Sequence, residues 1–215
     1  MVLSDYITEC RRLLHDANGN FYSDSELTDY INQGRVRLVR DTGCLRTYQT
    51  SSVAQNQEVL LTSSLPSGTS TLDIINFNLI WGNTRIALQY MPFTDFNARL
   101  RYYQNYTGRP IAYSMYGQTS IYLGPVPDQT YSVELDTVIM PTALTTSSPT
   151  ETIPDPYTTP VAFYACHKAK YKEQAYGESE IFSQEYKNQV KAVLSSVFTR
   201  RITTCLLYTS PSPRD

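Results

Sequence analysis

The spacing of apolar residues predicts an amphipathic helix at the start of the chain. From about Ser4 to His15, apolar side chains recur every three or four residues, which is the spacing of one helical face. They are Leu3, Tyr6, Ile7, Cys10, Leu13 and Leu14. Turn residues at 16–20 (DANGN) then end the helix.

A second helix follows, with recognisable signals at both ends. Ser23 and Glu26 have the spacing of a capping box, and Phe21-Tyr22 stands where a hydrophobic staple residue belongs. The helix is predicted to run to about Asp41, with Gly43 as its stop. Its predicted buried residues are Leu27, Tyr30, Ile31 and Leu38.

From Leu45 to about Leu144 the hydrophobic period changes to two, which predicts strands. Alternating residues are predicted to face a core on both sides of a Gly82-Asn83 turn; they are Ile75, Phe77, Leu79 and Trp81, then Ile86, Leu88 and Tyr90. A short helix is expected within Met91–Tyr103, with Thr94 as its N-cap.

Further strands are predicted at Ile111–Met115, Ser120–Gly124 and Tyr131–Ile139. In the last strand, one face is expected to be buried and the other, carrying Glu134 and Asp136, to be wet. Short strands joined by turns indicate an antiparallel sandwich or a small barrel.

The remainder of the chain predicts a linker and a helical hairpin. Thr145–Thr159 is rich in Ser, Thr and Pro and has little capacity for burial. The next helix begins at either Asp155-Pro156 or Thr159-Pro160, and Gly177 is its expected end. The last helix carries one apolar stripe: Ile181, Phe182, Tyr186, Val190, Val193, Leu194 and Val197.

These patterns predict an α+β protein in which the N-terminal helix pair packs with the C-terminal helical hairpin. Neither pair can bury its apolar stripe alone. The predicted helical domain comprises residues 1–44 and 156–200, and the inserted antiparallel β domain, a sandwich or barrel-like fold, comprises residues 45–150.

Composition narrows the possible functions. The formal net charge of −2 gives no overall basic field that would attract nucleic acid. No run approaches the roughly 18 apolar residues that a membrane span needs. The sequence has four cysteines, of which Cys205 lies in the C-terminal segment interpreted below as non-native. The other three, Cys10, Cys44 and Cys166, are an odd, widely spaced set, which favours reduced thiols over a disulfide framework. The 18 tyrosines against 7 phenylalanines suit half-buried interfaces, although β-rich domains also favour tyrosine.

Signals for an enzyme are weak, and the sequence predicts no catalytic, cofactor-binding or metal site. His15 closes the first helix, where a cation favours the helix dipole. Cys166 and His167 are adjacent on a helix and therefore point in different directions. The sequence has no CxxC, HExxH, GxSxG or phosphate-binding glycine loop.

Two groups of basic residues have an open interpretation: Arg35, Arg37 and Arg40 in the second helix, and Lys168, Lys170 and Lys172 in the third. They are either solubilising faces or contacts for an acidic partner subunit or DNA phosphates. No aromatic residues are interleaved with them for base stacking, so sequence-specific nucleic-acid recognition is not expected.

The last eleven residues, 205–215, read CLLYTSPSPRD and do not continue the preceding helix. They correspond to one reading frame of the adapter used in transposase-based sequencing libraries. We interpret them as translated adapter read-through, so native sequence is expected to end with residues 201–204.

Three segments together resemble the head–tail adaptor (connector) proteins of tailed bacteriophages. The capped run 23–32 (SDSELTDYIN) is similar to an acidic "xELxxxINxA" run of that family. The central hairpin, 109–113 (RPIAY) with 121–128 (IYLGPVPD), and Ile153-Pro154 before a helix with Ala162, Ala165 and Ala169 also match. Gly34 replaces the usual alanine, which weakens the second helix by about 1 kcal/mol.

The resemblance implies a structural virion protein, without catalytic residues, that is assembled in the host cytoplasm. It implies a ring, usually dodecameric, that binds under the portal, extends the DNA channel and docks the nozzle or tube proteins of the tail. Genomic DNA would pass through without sequence-specific binding, and no membrane is involved. The candidate interface residues are Arg35, Arg37, Arg40, Lys168, Lys172, Tyr122 and Tyr131.

The alternative is a monomeric carbohydrate-binding β module of a phage or bacterial protein. In that interpretation, Trp81 and exposed tyrosines would stack on sugar rings. It leaves both helix pairs without a purpose.

Overall fold

The computed structural model describes residues 1–101, 106–146 and 150–198. The helices are α1 (Leu3–Leu14), α2 (Asp24–Thr42), α3 (Phe93–Arg99), α4 (Pro160–Lys172) and α5 (Tyr176–Phe198). The strands are β1 (Arg46–Val53), β2 (Val59–Leu61), β3 (Thr71–Trp81), β4 (Thr84–Ala87), β5 (Gln89–Tyr90), β6 (Thr107–Gly108), β7 (Ala112–Tyr116), β8 (Ser120–Gly124), β9 (Val126–Pro127) and β10 (Tyr131–Ile139). The expected native end at 201–204 and the tail 205–215 lie outside the described residues.

The chain forms two compact units. Of the described residues, 1–44, 142–146 and 150–198 make up a helical unit, and 45–101 and 106–141 make up a β unit. The α+β class is therefore confirmed, as is the packing of the N-terminal helix pair with the C-terminal hairpin.

The boundaries of α1 and α2 follow the local signals. His15, in the left-handed conformation, closes α1 through its backbone N–H, and Gly43 closes α2 in the same conformation. The Ser23 side chain accepts from the Glu26 N–H at 3.2 Å, as predicted. The Glu26 carboxylate differs from the expected capping box because it accepts from Tyr30 and Lys172 instead.

Helix α4 is the centre of the helical unit and contacts α1, α2 and α5. Small buried side chains let the helices approach closely; they are Ala162, Ala165, Cys166 and Ala169. The Cys10 thiol lies 3.9 Å from the Ala162 carbonyl oxygen, and the Cys166 thiol lies 3.8 Å from the Cys10 carbonyl oxygen. Cys10, Cys44 and Cys166 are all buried and unpaired.

Gly34 lies where α2 approaches α4 closely. A Cβ added to it would lie 3.1 Å from Tyr164 Cδ1 and 3.2 Å from the Val161 carbonyl oxygen. The missing side chain therefore makes room for the neighbouring helix, which explains a residue that otherwise only weakens α2.

Replacing Gly34 by alanine is expected not to raise the free energy of unfolding. The gain of up to about 1 kcal/mol in helix propensity is offset by overlap with α4. Gly177 is the matched control, because it lies in the first turn of α5 with no atom near an added Cβ. Gly177→Ala should stabilise the protein by about 0.4–1 kcal/mol. Denaturant titration of both variants measures the difference, and equal stabilisation would contradict the steric argument.

The junction between α4 and α5 differs from the prediction. Of the two predicted starts of α4, the structure has the one at Thr159-Pro160. The expected end at Gly177 is wrong, because α4 ends at Lys172 and Gln174 adopts the left-handed conformation. A residue other than glycine thus makes the turn, and Gly177 lies inside α5.

The chain around the predicted linker 145–159 packs against the helices where the structure describes it, although little burial is expected there. Leu144, Ile153 and Thr158 are buried, and Asn32 of α2 accepts from the Leu144 N–H at 2.8 Å. Residues 142–146 and 150–198 therefore group with the helices, whereas the sequence pattern assigns residues up to 150 to the β domain.

The β unit is a sandwich of two four-stranded sheets and is not a closed barrel. One sheet has the order β1-β10-β3-β4 and is antiparallel throughout. The other has the order β2-β8-β7-β5, in which the β7–β5 pair is parallel, and β6 and β9 form a further short parallel pair. Both sheets contribute to one core, which includes Phe77, Leu79, Ile121, Leu123 and Leu135.

A β-bulge changes which residues of β3 face the core, so the predicted buried face is partly wrong. Asp136 pairs with Asn76, but Thr137 pairs with Ile74, so Ile75 is an extra residue on its strand. Before the bulge the core residue is Ile74 rather than Ile75. Trp81, expected on the same buried face, lies at the hairpin end and is 44% exposed.

The prediction that one face of β10 is exposed to solvent is also partly wrong. Glu134 is buried, because β10 lies between β1 and β3 and Arg85 reaches over from β4. The Arg85 Nε and Nη2 atoms donate to the two Glu134 carboxylate oxygens at 2.6 and 3.0 Å. These hydrogen bonds, with one from Tyr48, hold the pKa of Glu134 below its ordinary value.

Helix α3 begins one residue earlier than its predicted N-cap. Pro92 occupies the cap position, so Thr94 lies within the first turn. Phe96 of this helix is fully buried beside Gly124 at the end of β8.

Candidate interaction surfaces

Arg35, a predicted interface residue, is inside the helical unit, where only 1% of its side chain is exposed. Its Nη2 and Nε atoms donate to the two carboxylate oxygens of Glu151 at 2.6 and 2.9 Å. Its Nη1 atom donates to the Thr142 carbonyl oxygen at 2.6 Å. The guanidinium therefore connects α2 to the segment before α4 and is not presented to a partner.

The Glu151 carboxylate is held by further donors. It accepts from the Tyr6 hydroxyl at 2.7 Å and from the Thr152 and Ile153 N–H groups at 2.7 and 2.8 Å. Burial alone would raise its pKa, but the hydrogen bonds from Arg35, Ile153 and Tyr6 and the charge of Arg35 hold that pKa below its ordinary value. Burial and the Glu151 charge raise the pKa of Tyr6, which stays neutral. We call this buried ion pair the Arg35–Glu151 pair.

Arg37 and Arg40, in contrast, line an open surface of the helical unit. A cavity of about 330 Å³ lies between α2, α4 and α5, and a second of about 420 Å³ adjoins it. The two share Arg37 and Tyr164. We name this surface the basic groove; its polar and aromatic lining includes Arg37, Arg40, Asp41, Tyr164, His167, Tyr186, Lys187 and Lys191.

The basic groove is cationic within a chain whose net charge is −2. Its lining carries four Arg and Lys side chains and a single carboxylate, Asp41. Asp41 is already engaged, because it accepts from Arg37 Nε at 2.8 Å and from the Tyr186 hydroxyl at 3.1 Å. The hydrogen bond and charge of Asp41 raise the pKa of Arg37 above its ordinary value. Arg40, Lys187 and Lys191 are exposed, which favours an acidic ligand.

The predicted lysines are not gathered in one place. Lys168 lies with its ammonium 5.8 Å from the centre of the Tyr164 ring, at the edge of the basic groove. Lys172 instead pairs with Glu26 at 2.5 Å, and Lys170 pairs with Glu173 and Glu178. Among the predicted cations, Arg37, Arg40 and Lys168 are thus the ones that the structure brings together.

In the β unit, Tyr122 belongs to a partly exposed aromatic cluster. Its ring centre lies 5.1 Å from that of Phe93 and 6.3 Å from that of Tyr116, and the Arg101 guanidinium lies 5.0 Å above it. Tyr116 is exposed. Aromatic side chains of this kind are enriched in protein interfaces.

Tyr131 is buried and belongs to the core rather than to this surface. Its hydroxyl donates to Asp128 Oδ1 at 2.6 Å, and its ring packs 6.2 Å from that of Trp81. The Arg109 guanidinium covers the Trp81 ring at 4.6 Å. This arrangement counts against carbohydrate stacking, since a sugar would have to displace Arg109.

His167 has a structural environment. Its Nδ1 atom lies 2.9 Å from both the hydroxyl and the carbonyl oxygen of Ser179. The Ser179 hydroxyl also donates to the His167 carbonyl oxygen at 3.1 Å and is buried. Because the Ser179 hydroxyl donates its hydrogen to a backbone carbonyl, it does not donate the same hydrogen to the imidazole. The imidazole therefore does not activate the hydroxyl as a nucleophile, and the contact joins α4 to α5.

Two general features of the described residues bear on function. In the part of the chain that the structure describes, no group of three His, Cys, Asp or Glu side chains is placed to hold a metal ion. None of the helices there is long and apolar enough to cross a bilayer.

Sequence reasoning missed the contribution of α5 to the basic groove. Lys187 and Lys191 are four residues apart, as are Arg37 and Asp41, so each pair lies on one helical face. That spacing was a usable signal, but only the fold places the two faces side by side.

Comparison with protein families shows which family the chain matches. A family model described as SU10 adaptor protein matches residues 1–204, almost the whole chain. The matched range stops immediately before the segment 205–215. None of the curated proteins matches the chain.

Proposed function

Since the chain belongs to the SU10 adaptor family, a family of bacteriophage head–tail adaptors, we propose that it forms a ring under the portal, extends the DNA channel and docks the tail. Family membership supports a structural role in the virion and implies interaction with portal and tail proteins. The match over residues 1–204 is the observation that carries the proposal.

The ring is proposed to be a dodecamer that assembles in the host cytoplasm. Genomic DNA passes through it without sequence-specific binding, which is consistent with a slightly acidic subunit that lacks an overall affinity for phosphate. The proposed role is mechanical and requires no catalytic residue.

The basic groove is the proposed contact for the portal, and its proposed occupant is an acidic segment of that protein. The support is charge complementarity: four cations and one internally paired carboxylate line two adjoining cavities. The aromatic cluster around Tyr122 is the proposed contact for a tail protein.

Reversing two charges in the basic groove is expected to weaken portal binding at least tenfold. Lys187→Glu/Lys191→Glu replaces two exposed helical cations by residues of similar helix propensity, so the fold should be retained. Like charges facing an acidic segment reduce the association rate and the affinity. Surface plasmon resonance against the purified portal at two salt concentrations measures the effect, and the wild-type affinity should fall with salt.

The matched control is Arg12→Glu/Arg99→Glu, which makes the same change in net charge at exposed positions outside the groove. It should bind like the wild type. Equal weakening by both double variants would contradict a role for the groove, and a wild-type chain that ignored the portal would contradict the proposed function itself.

A further inference from the structure

The antiparallel sheet β1-β10-β3-β4 has two outer strands with opposite directions. An even number of strands in strict antiparallel order makes β1 and β4 run opposite to each other. Strand β4 of one copy would therefore lie antiparallel to β1 of the next, in the same alternation as within the sheet.

The hydrogen-bonding pattern fixes which residues of β1 face outward. The Ile139 N–H donates to the Leu45 carbonyl oxygen at 3.1 Å, and the pairing continues in register through Thr47 opposite Thr137. Because hydrogen-bonded and non-hydrogen-bonded pairs alternate, odd-numbered residues of β1 bond to β10. The outward-facing backbone groups are those of Arg46, Tyr48, Thr50 and Ser52.

The same reasoning applies to β4. The Leu88 N–H donates to the Phe77 carbonyl oxygen at 2.8 Å, and the register continues through Ile86 opposite Leu79 and Thr84 opposite Trp81. The backbone groups of Arg85 and Ala87 therefore point away from β3. Two such residues can form about four hydrogen bonds with an added strand.

Strand β1 lacks the features that usually protect an edge. Its eight residues contain no proline and a single charged side chain, Arg46, and its register with β10 has no bulge. Within the described residues, no strand pairs with its outer side. Tyr48, Thr50 and Ser52 are exposed. Proteins normally block edges of this kind, because they accept strands from other chains.

We propose that β1 of one subunit pairs with β4 of its neighbour, so that the sheets of successive subunits form one continuous antiparallel sheet. The inference rests on the proposed ring. Pairing two different edges is a heterologous contact, which leaves one free edge on each side and closes only as a ring. Pairing β1 with β1 of a second copy would instead stop at a dimer.

Proline at an outward-facing position tests the edge without breaking the sheet. Thr50→Pro removes an N–H that points away from β10, a position that edge strands tolerate. We expect this variant to fold, to lose the ring in native mass spectrometry and to stay monomeric. Thr50→Ala keeps the N–H and should assemble like the wild type. Thermal unfolding of each variant checks the fold.

Ala87→Pro is the corresponding change on β4 and is expected to give monomers as well. Mixing the two proline variants gives the sharper result. Thr50→Pro retains an intact β4 edge and Ala87→Pro retains an intact β1 edge, so a 1:1 mixture should form heterodimers that grow no further. If β1 paired with β1, Ala87→Pro alone would dimerise.

Assembly is measured for the full-length chain alone and with its portal. A Thr50→Pro or Ala87→Pro ring with the wild-type number of subunits would overturn the inference while leaving the adaptor function intact. A dimer of Ala87→Pro alone would overturn the β1–β4 assignment. A wild-type chain that stayed monomeric and did not bind the portal would overturn both the inference and the proposed function.

Discussion

Replacing Glu151 by alanine is expected to lower the free energy of unfolding by about 3–5 kcal/mol. The change leaves the Arg35 guanidinium, which is 1% exposed, without its carboxylate partner. It also removes the acceptor of the Tyr6 hydroxyl and of two backbone N–H groups. An unpaired buried charge costs far more than the net contribution of the pair itself. Chemical denaturation followed by far-UV circular dichroism measures the loss.

Glu9→Ala is the matched control, because Glu9 pairs with Arg12 at 3.2 Å on the surface of α1. Exposed pairs contribute little, so the cost should stay below about 1 kcal/mol. Replacing both partners, as in Arg35→Met/Glu151→Leu, should be less damaging than Glu151→Ala, since it leaves no buried charge. A cost below about 1 kcal/mol for Glu151→Ala would contradict the importance of the Arg35–Glu151 pair.

Acidification provides a second measurement on the same variant. The pKa of Glu151 is lower in the folded protein than its ordinary value of 4.5. The ionised carboxylate therefore stabilises the folded state, and this contribution is complete above about pH 4.5. This contribution is lost as the pH falls through the lowered pKa. The difference in stability between wild type and Glu151→Ala should therefore narrow below about pH 4.5.

Elements defined by local chemistry could be predicted from the sequence. The N-cap at Ser23 and the glycine at 43 define α2 because each satisfies terminal backbone groups without help from distant residues. The bounds of β8 and β10 follow in the same way from alternation and flanking turns. The junction at Gln174 could not be predicted, since a non-glycine residue in the left-handed conformation has no strong sequence signal.

Features that depend on distant residues were predicted poorly. Ile75 loses its core position to Ile74 because of a bulge against β10, which alternation within β3 does not reveal. Glu134 looks like a solvated residue until the strand order places Arg85 beside it. Arg35 looked like one of a surface series, but Glu151, 116 residues away, pairs with it inside the unit.

Only part of the basic groove could be predicted, because the groove depends on how distant helices pack. The charges of Arg37 and Arg40 suggest an interface, and both residues line the groove. Lys187 and Lys191 were missed because the relation between α2 and α5 is set by packing on α4. The charge of Lys172 also suggests an interface, but Lys172 pairs with Glu26 in a contact between the start of α2 and the end of α4.

Replacing Gly124 by alanine is expected to lower the free energy of unfolding by about 1–3 kcal/mol. The added Cβ would lie 2.8 Å from Phe96 Cε2 and 3.0 Å from Leu100 Cβ. Phe96 is fully buried and cannot swing into solvent, so α3 would have to move away from β8. Thermal unfolding of the full-length chain, compared with the wild type, measures the cost.

Gly108→Ala is the control within the same unit, because its added Cβ would meet only Pro125 atoms, at 3.8 Å and beyond. Gly108→Ala should change the free energy of unfolding by no more than about 0.5 kcal/mol. Phe96→Leu supplies the decisive comparison, because a smaller side chain opens the space that the methyl group added in Gly124→Ala would need. If the clash is with the Phe96 ring, the two changes together should cost less than the sum of their separate costs, by about 0.5 kcal/mol or more. If the two costs were strictly additive, the cost of Gly124→Ala would not come from a clash with the Phe96 ring of α3.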